Sequence, residues 1–354
     1  MGDVIIIGGG TAGLTAAIYL QRSALQSVVL EAEDFGGRIF PTLAIDNFPA
    51  MPGISGADYS EQLRAQAEAL GAELIERAAL TLTRGREQDG HGESFDSDSG
   101  AELALTRGQE QDGHDESFHS DSGTALTLTC GTELWEVTTA AGKYVAPAVI
   151  YAAGEKQRPL GVPGEAEFLG RGVAYCAACD GAFFRGKDVA LVGGGDKALD
   201  DALTLSRLCA TVHLIHRRDE FRAAGGTVAQ VKETPNIVLH MNRVVTSIAG
   251  DRRVSSVTLR SPEGGDEEIL AVPGIFVAVG SIPQTALCAD LIPLDKQGYI
   301  IADEDCMTPA PGLFVAGDVR KKPLRQLVTA AADGAVAAKA AADYITRREA
   351  RSGG

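Results

Sequence analysis

VIIIGGGTAGLTAAIYL (residues 4–20) and VALVGGGDKALDDALTL (residues 189–205) share one pattern. In each, four apolar residues run into three glycines, and alanine and leucine then recur at helical spacing. SVVLEAE comes after the first copy and TVHLIHRR after the second, so each reads strand, glycine turn, helix, strand. That order is the opening of a doubly wound α/β unit. Two openings 185 residues apart in a chain of 354 residues predict two nucleotide-binding domains, since one domain usually holds ~100–200 residues.

The two fingerprints lead into different second strands. Gly8-x-Gly10-x-x-Gly13 provides glycines for a sharp turn and for close backbone approach to a pyrophosphate, whose charge the helix amino terminus meets. Twenty-three residues after Gly8, Glu31 closes the second strand. A carboxylate there accepts hydrogen bonds from an adenosine ribose and repels a 2′-phosphate, so the first site suits FAD or NAD. In the second copy, Gly193-x-Gly195-x-x-Ala198, the residue 23 places after Gly193 is His216, with Arg217, Arg218 and Arg222 behind it. Guanidinium groups suit bidentate phosphate contacts, and this site is expected to prefer NADPH to NADH.

With 48 acidic against 32 basic side chains the net charge is −16, which disfavours sequence-independent binding to nucleic acid. No apolar run reaches the ~18–20 residues of a membrane span, and MGDVIIIGGG has neither the basic start nor the cleavage site of a secretory signal. A soluble, cytoplasmic protein is expected. Cys130, Cys209, Cys288 and Cys306 are scattered and read as small hydrophobes or bystanders.

Residues 80–102 (LTLTRGREQDGHGESFDSDSGAE) and 103–125 (LALTRGQEQDGHDESFHSDSGTA) are a tandem duplication identical at 17 of 23 positions. The two copies hold eleven acids and three arginines, a charge of −8. A third LTLT starts at Leu126, so the 46 residues read as an insertion into a β-meander. His91, His114 and His119 with the aspartates could form a metal or partner site, but a run this polar is expected to be a solvated hairpin or loop. No metal site is expected.

YCAACDG (residues 175–181) pairs Cys176 with Cys179 and puts Asp180 directly behind them. Zinc, a structural staple and a redox couple all use this spacing. A structural zinc site needs four ligands, and there is no second C-x-x-C. The cytosol keeps structural thiols reduced. A redox couple remains, with Asp180 as a proton-moving acid or base, or as a helix cap beside Gly181. Further on, GLFVAGDVRKKPLRQ (residues 312–326) reads as a strand, the Gly317-Asp318 pair and a helix beginning near Leu327.

GGGTAG, GGRIFPTLAIDNFP, GVPGEAEFLGRGVAYCAACDGAFFRGKDVALVGGGDKA, HRRDEFRA and GLFVAGDVRKKPLRQ, in that order, resemble the low-molecular-weight thioredoxin reductases. The resemblance runs from Asp3 to about Ile345, leaving out residues 80–125. It implies a NADPH domain carrying the C-x-x-C (158–280) set into an FAD domain (1–157 and 281–354), with crossings near residues 155–158 and 280–283. It implies that Gly37, Arg38, Asn47, Gly154, Gly317, Asp318, Arg325 and Gln326 join the first fingerprint in holding FAD. It further implies that Cys179 faces the flavin, that Cys176 attacks a thioredoxin-type disulfide, that one domain rotates against the other, and that the protein is a homodimer. Four positions depart from the family's habit: Arg38 for glutamine, YAAG for an ending in ATG, Gln284 for asparagine and Lys197 for a small polar residue. Competing readings are a related flavoprotein fed by ferredoxin or reduced flavin, one passing electrons to oxygen or a peroxiredoxin system, and a non-catalytic flavin redox sensor.

Overall fold

The computed structural model describes residues 2–40, 42, 44–86, 133–223 and 225–352. The chain opens with β1 (Val4–Ile7), α1 (Thr11–Arg22), β2 (Ser27–Glu31), α2 (Gly56–Ala69) and β3 (Glu73–Glu76). β4 (Thr81–Arg86), β5 (Glu133–Thr139), β6 (Gly142–Ala146) and β7 (Ala148–Tyr151) come next. After β8 (Glu155–Gln157) come β9 (Val173–Ala174), α3 (Ala177–Asp180), β10 (Asp188–Gly193), α4 (Asp196–Ser206), β11 (Thr211–His216), α5 (Gly225–Glu233) and β12 (Ile237–Met241). The chain then runs through β13 (Val244–Gly250), β14 (Val254–Arg260), β15 (Glu268–Ala271), β16 (Ile275–Ala278), β17 (Ser281–Pro283), β18 (Leu313–Val315) and α6 (Leu327–Ser352).

Two five-stranded parallel sheets, ordered β18-β7-β1-β2-β3 and β12-β11-β10-β16-β9, realise the α/β class that the two fingerprints predict. Every residue of β1 is buried, as a central parallel strand covered on both faces requires. Val4 and Ile6 face α1 and the alanine-rich α6, while Ile5 and Ile7 face a cluster holding Trp135 and Val137 of β5. The second sheet is built alike. Val189 and Leu191 pack on α4, and Ala190 and Val192 pack on the antiparallel sheet β13-β14-β15. Each parallel sheet thus has helices on one face and a three-stranded antiparallel sheet on the other.

The β-meander is present as β4-β5-β6, but its first strand comes from the duplication itself. Thr81–Arg86 pairs with Glu133–Thr139, and Leu82 is 5% exposed in the core with Trp135. The expectation of a solvated loop is therefore wrong for residues 81–86. Their LTLT alternates apolar and polar residues with the period of a half-buried strand, and a tandem repeat with three such starts gives no unique cutting point. Residues 87–125, with His91, His114 and His119, and Cys130 lie outside the described residues.

The chain passes between the two sheet bodies twice, at β8 and β17, and these strands pair antiparallel: Glu155 with Pro283, Lys156 with Ile282 and Gln157 with Ser281. Just beyond them Arg158 N donates to Gly280 O at 3.0 Å. Among the described residues no helix is long and apolar enough to cross a membrane.

Candidate functional site

At the first fingerprint the chain itself demands two of the glycines. Gly8 has φ +107°, and a Cβ on Gly13 would overlap the Gly8 carbonyl oxygen. Gly10 caps α1 from an extended conformation. Glu31 ends β2, and its Oε2 accepts from Gly9 N at 2.5 Å, so the carboxylate lies on the glycine turn.

The remaining residues expected around FAD come from distant segments and meet. A short 3-10 turn, Gly37–Ile39, presents Arg38. Asn47 Nδ2 donates to Gln326 Oε1 at 2.9 Å across 279 residues of sequence. Gly154 has φ +65°, and a Cβ there would meet nothing within 4 Å. Gly317 N donates to Asp333 Oδ2 at 3.0 Å, and Arg325 Nε donates to the Asp318 carbonyl oxygen at 3.2 Å. Asp318 is held by Lys322 and Arg38 at ion-pair distances of 3.5 and 3.8 Å, yet its buried Oδ1 accepts no hydrogen bond. Burial raises its pKa, and the two cations oppose the rise. Lys322 Nζ, 3.5 Å from that oxygen, supplies charge without a well-formed hydrogen bond, and a ribitol hydroxyl would supply one. Together with the open face at Gly154, and Gly10, where a Cβ would touch only Gly36 O at 3.8 Å, this fits a dinucleotide that the glycine turn and Asp318 would hold.

At the second fingerprint, Gly193 is needed because a Cβ would overlap that of Ala198, which is fully buried. Gly195 caps α4, and a Cβ there would meet nothing within 4 Å, so its absence leaves room that the chain does not use. His216 is 5% exposed, with its ring stacked on Phe221 and packed against Gly194, and Nε2 lies 3.1 Å from Glu220 O. Burial and the arginines beside it lower its pKa. His216 therefore props the glycine loop from below. Arg217, Arg218 and Arg222 are exposed or partly so, and Arg222 N donates to Gly194 O at 2.8 Å, which folds the basic segment back onto the fingerprint. None of the three arginines has an ion pair among the described residues. That arrangement fits a phosphorylated ribose at the edge of the glycine loop. Lys197 is paired with Asp201 at 2.6 Å.

The cysteines sit on the same body. Cys176 and Cys179 are joined as a disulfide at the start of α3. Cys176 is the cap residue of this short helix, and its Sγ accepts from Cys179 N at 3.1 Å. An amide aimed at that sulfur favours its thiolate once the bond is reduced. Asp180 closes α3 and is half-buried, and burial alone pushes its pKa up to about 6. Its side chain makes no cap hydrogen bond to the 3-10 turn at Gly181–Phe184, so the helix-cap reading finds no support. Tyr175, immediately before Cys176, donates from its hydroxyl to Glu165 Oε1 at 2.8 Å, and the two oxygens of that buried carboxylate also accept from Leu160 N and Gly161 N. The free thiols of Cys209, Cys288 and Cys306 are buried.

Residues 2–334 match the family model described as pyridine nucleotide-disulphide oxidoreductase. A thioredoxin reductase of Treponema pallidum is 39% identical over 345 residues, 97% of each chain. One from Listeria innocua is 36% identical over 344 residues, 97% of this chain and 93% of the relative. The chain belongs to the thioredoxin reductase family. Among solved structures, a thioredoxin reductase of Streptococcus pyogenes superposes with a TM-score of 0.80 at 33% identity, covering 98% of this chain and 99% of the other. A Lactococcus lactis thioredoxin reductase in its FR conformation is equally similar in sequence, 32% identical with 98% of this chain and 100% of the other covered, yet its TM-score is 0.59. The two solved structures are nearly alike in identity and coverage and superpose unequally on this chain.

Glu155, Tyr299 and Lys322 are absent from the residues expected by sequence, although they stand within the first site. Glu155 gives a signal in sequence as a charged residue directly behind YAAG at the end of a buried strand, and Lys322 gives one by standing inside GLFVAGDVRKKPLRQ, whereas Tyr299 gives none.

Proposed function

We propose that this protein is a NADPH-dependent thioredoxin-disulfide reductase, with FAD in the first cradle, NADPH in the second and a thioredoxin-type protein as acceptor. The observation that carries this reading is the disulfide-bonded C-x-x-C mounted beside a half-buried aspartate on the same sheet body as the basic fingerprint. The reading divides the chain into an FAD domain, 1–157 with 281–354, and a nucleotide domain, 158–280, and takes the protein to be a cytoplasmic homodimer.

FAD, when bound, supplies a two-electron relay between a nicotinamide and a disulfide. The protein's own groups do the rest. Glu31 and the turn at Gly8 to Gly13 hold the adenosine side and the pyrophosphate, and Asp318 holds the polyol. Arg217, Arg218 and Arg222 hold the 2′-phosphate that marks NADPH, and Gly195 lets the pyrophosphate approach the backbone. In the reduced protein the Cys176 thiolate attacks the acceptor disulfide: a bond forms between Cys176 Sγ and one acceptor sulfur, and the other sulfur departs as a thiolate that Asp180 protonates. Cys179 then attacks Cys176 Sγ, which re-forms the internal disulfide and releases the second acceptor thiol. A cysteine pair cannot serve both the flavin and an outside protein from one position, so the nucleotide body must rotate on the crossings at β8 and β17. The unequal superpositions on two comparably similar thioredoxin reductases support that motion.

Stopped-flow mixing of the flavin-loaded protein with NADPH and then NADH, and then turnover with thioredoxins from the same organism, tests the reading. NADPH is expected to bleach the flavin at concentrations where NADH does not. Failure of NADPH to bleach it would overturn the reading.

A further inference from the structure

Glu155 opens β8 directly behind Gly154, and its side chain is 5% exposed. Three segments converge on it. Arg38 Nη1 donates to Oε1 at 2.5 Å, the Tyr299 hydroxyl donates to Oε2 at 2.6 Å, and Arg325 Nε lies 3.7 Å from Oε2. The Arg325 guanidinium lies on the Tyr299 ring, 3.7 Å from its centroid. The two arginines also border Asp318, Arg38 at its carboxylate and Arg325 at its carbonyl oxygen. A buried carboxylate and two guanidinium groups therefore abut the carboxylate of the first cradle, whose Oδ1 accepts no hydrogen bond and has Lys322 Nζ at 3.5 Å.

We propose that Arg38 and Glu155 are a charge-compensated positioning pair that sets the reduction potential of the flavin. The proposal rests on the reading that FAD occupies the first cradle. Glu155 is buried, so the charge it keeps when Arg38 is removed is screened poorly by water, whereas the Arg38 side chain is 40% exposed and its charge is screened more strongly. Two-electron reduction of a flavin with uptake of one proton adds one negative charge to the ring system. A cluster made more positive favours that charge, and one made more negative opposes it.

The two substitutions must then act in opposite directions. Glu155→Gln keeps the size and an acceptor for Tyr299 but removes the nearer of the two carboxylates that face Arg38, the other being Asp318 at 3.8 Å, so the cluster gains one unit of positive charge and the flavin becomes easier to reduce. Arg38→Gln, which restores the residue usual in the resembling family, leaves Glu155 with only the more distant Arg325 at 3.7 Å, so the cluster loses one unit of positive charge and the flavin becomes harder to reduce. Each is expected to change the reduction equilibrium tenfold or more, about 30 mV for a two-electron couple. Arg38→Lys retains the charge and is expected to stay within about threefold of the parent.

The measurement is a reductive titration of flavin-loaded protein against a dye of known potential, read by flavin absorbance. Carrying Cys176→Ser and Cys179→Ser in every sample leaves the flavin as the couple titrated. Shifts of opposite sign, with Arg38→Lys near the parent, support the pair. Shifts of the same sign, no shift, or flavin lost from the variants alone would overturn it, because a purely structural contact gives those results. A parent protein that holds no flavin would instead overturn the FAD reading.

Discussion

Replacing Asp180 by asparagine keeps the shape of the side chain and removes the acid. With its pKa pushed up to about 6, about one molecule in eleven carries the proton at pH 7, against about one in 1,600 for an ordinary carboxyl of pKa 3.8. Burial thus makes the acid about 140-fold more available at neutral pH. A raised pKa keeps the protonated form as pH climbs toward 6, and that form is lost above it. General acid catalysis is worth roughly 100- to 10,000-fold, so Asp180→Asn is expected to slow oxidation of the reduced protein by an acceptor disulfide by at least about 100-fold at pH 7. The assay is single-turnover mixing of NADPH-reduced protein with oxidised thioredoxin across pH 5 to 9. The parent should show an inflection near pH 6 that the variant lacks, while flavin bleaching by NADPH stays close to parental. A variant within threefold of the parent, still inflecting near pH 6, would refute the proton-transfer role.

Arg218→Ala is expected to raise the KM for NADPH by about tenfold or more, the scale of a lost charged phosphate contact, and to leave NADH nearly unmoved; equal effects in steady-state assays would remove Arg218 from the phosphate site. Gly195→Ala, whose Cβ meets nothing, is expected to keep the parental Tm while weakening nucleotide binding, whereas Gly13→Ala, whose Cβ overlaps Gly8, is expected to yield little folded protein. Calorimetry with nucleotide titration separates the two. Leu82→Ala should cost about 2–5 kcal/mol, because a buried leucine is lost from the cluster around Trp135. Deleting residues 80–125, by contrast, seats Leu128 where Leu82 was and is expected to move Tm by no more than about 3 °C. A large loss on that deletion would show that the duplicated segment supports the fold.

The parallel sheets were legible because their strands are buried on both faces and therefore apolar throughout, as VIII at Val4–Ile7 is, and because three glycines end each fingerprint strand. The starts of α1 and α6 could be read from the same kind of local change. The antiparallel sheets were less visible. β4 was hidden inside a repeat, where a strand and its surroundings are copied together and periodicity cannot say which copy is in use. At the site, residue types at fixed spacing pointed to Glu31 and the cysteines, and the family resemblance pointed to Asp318. Spacing could not reveal that His216 turns inward under the glycine loop, since a ring packed on Gly194 and Phe221 and a ring offered to a phosphate have the same neighbours in sequence. Nor could it reveal Tyr299 meeting Glu155, which are 144 residues apart.

The hydrogen bond from Arg158 N to Gly280 O brings the two ends of a 121-residue excursion, 159–279, into contact with each other. A segment that leaves and returns at one point imposes almost no closure entropy on the chain that hosts it. The strands on either side of the excursion, β7 and β18, hydrogen-bond to each other in the first sheet and can do so whatever lies between. One splice is therefore enough, in principle, to graft such a unit onto a dinucleotide-binding host or to take it off, with neither core rebuilt. The same junction makes the segment a natural unit for exchange between relatives, in which the basic fingerprint and the cysteine pair would travel together.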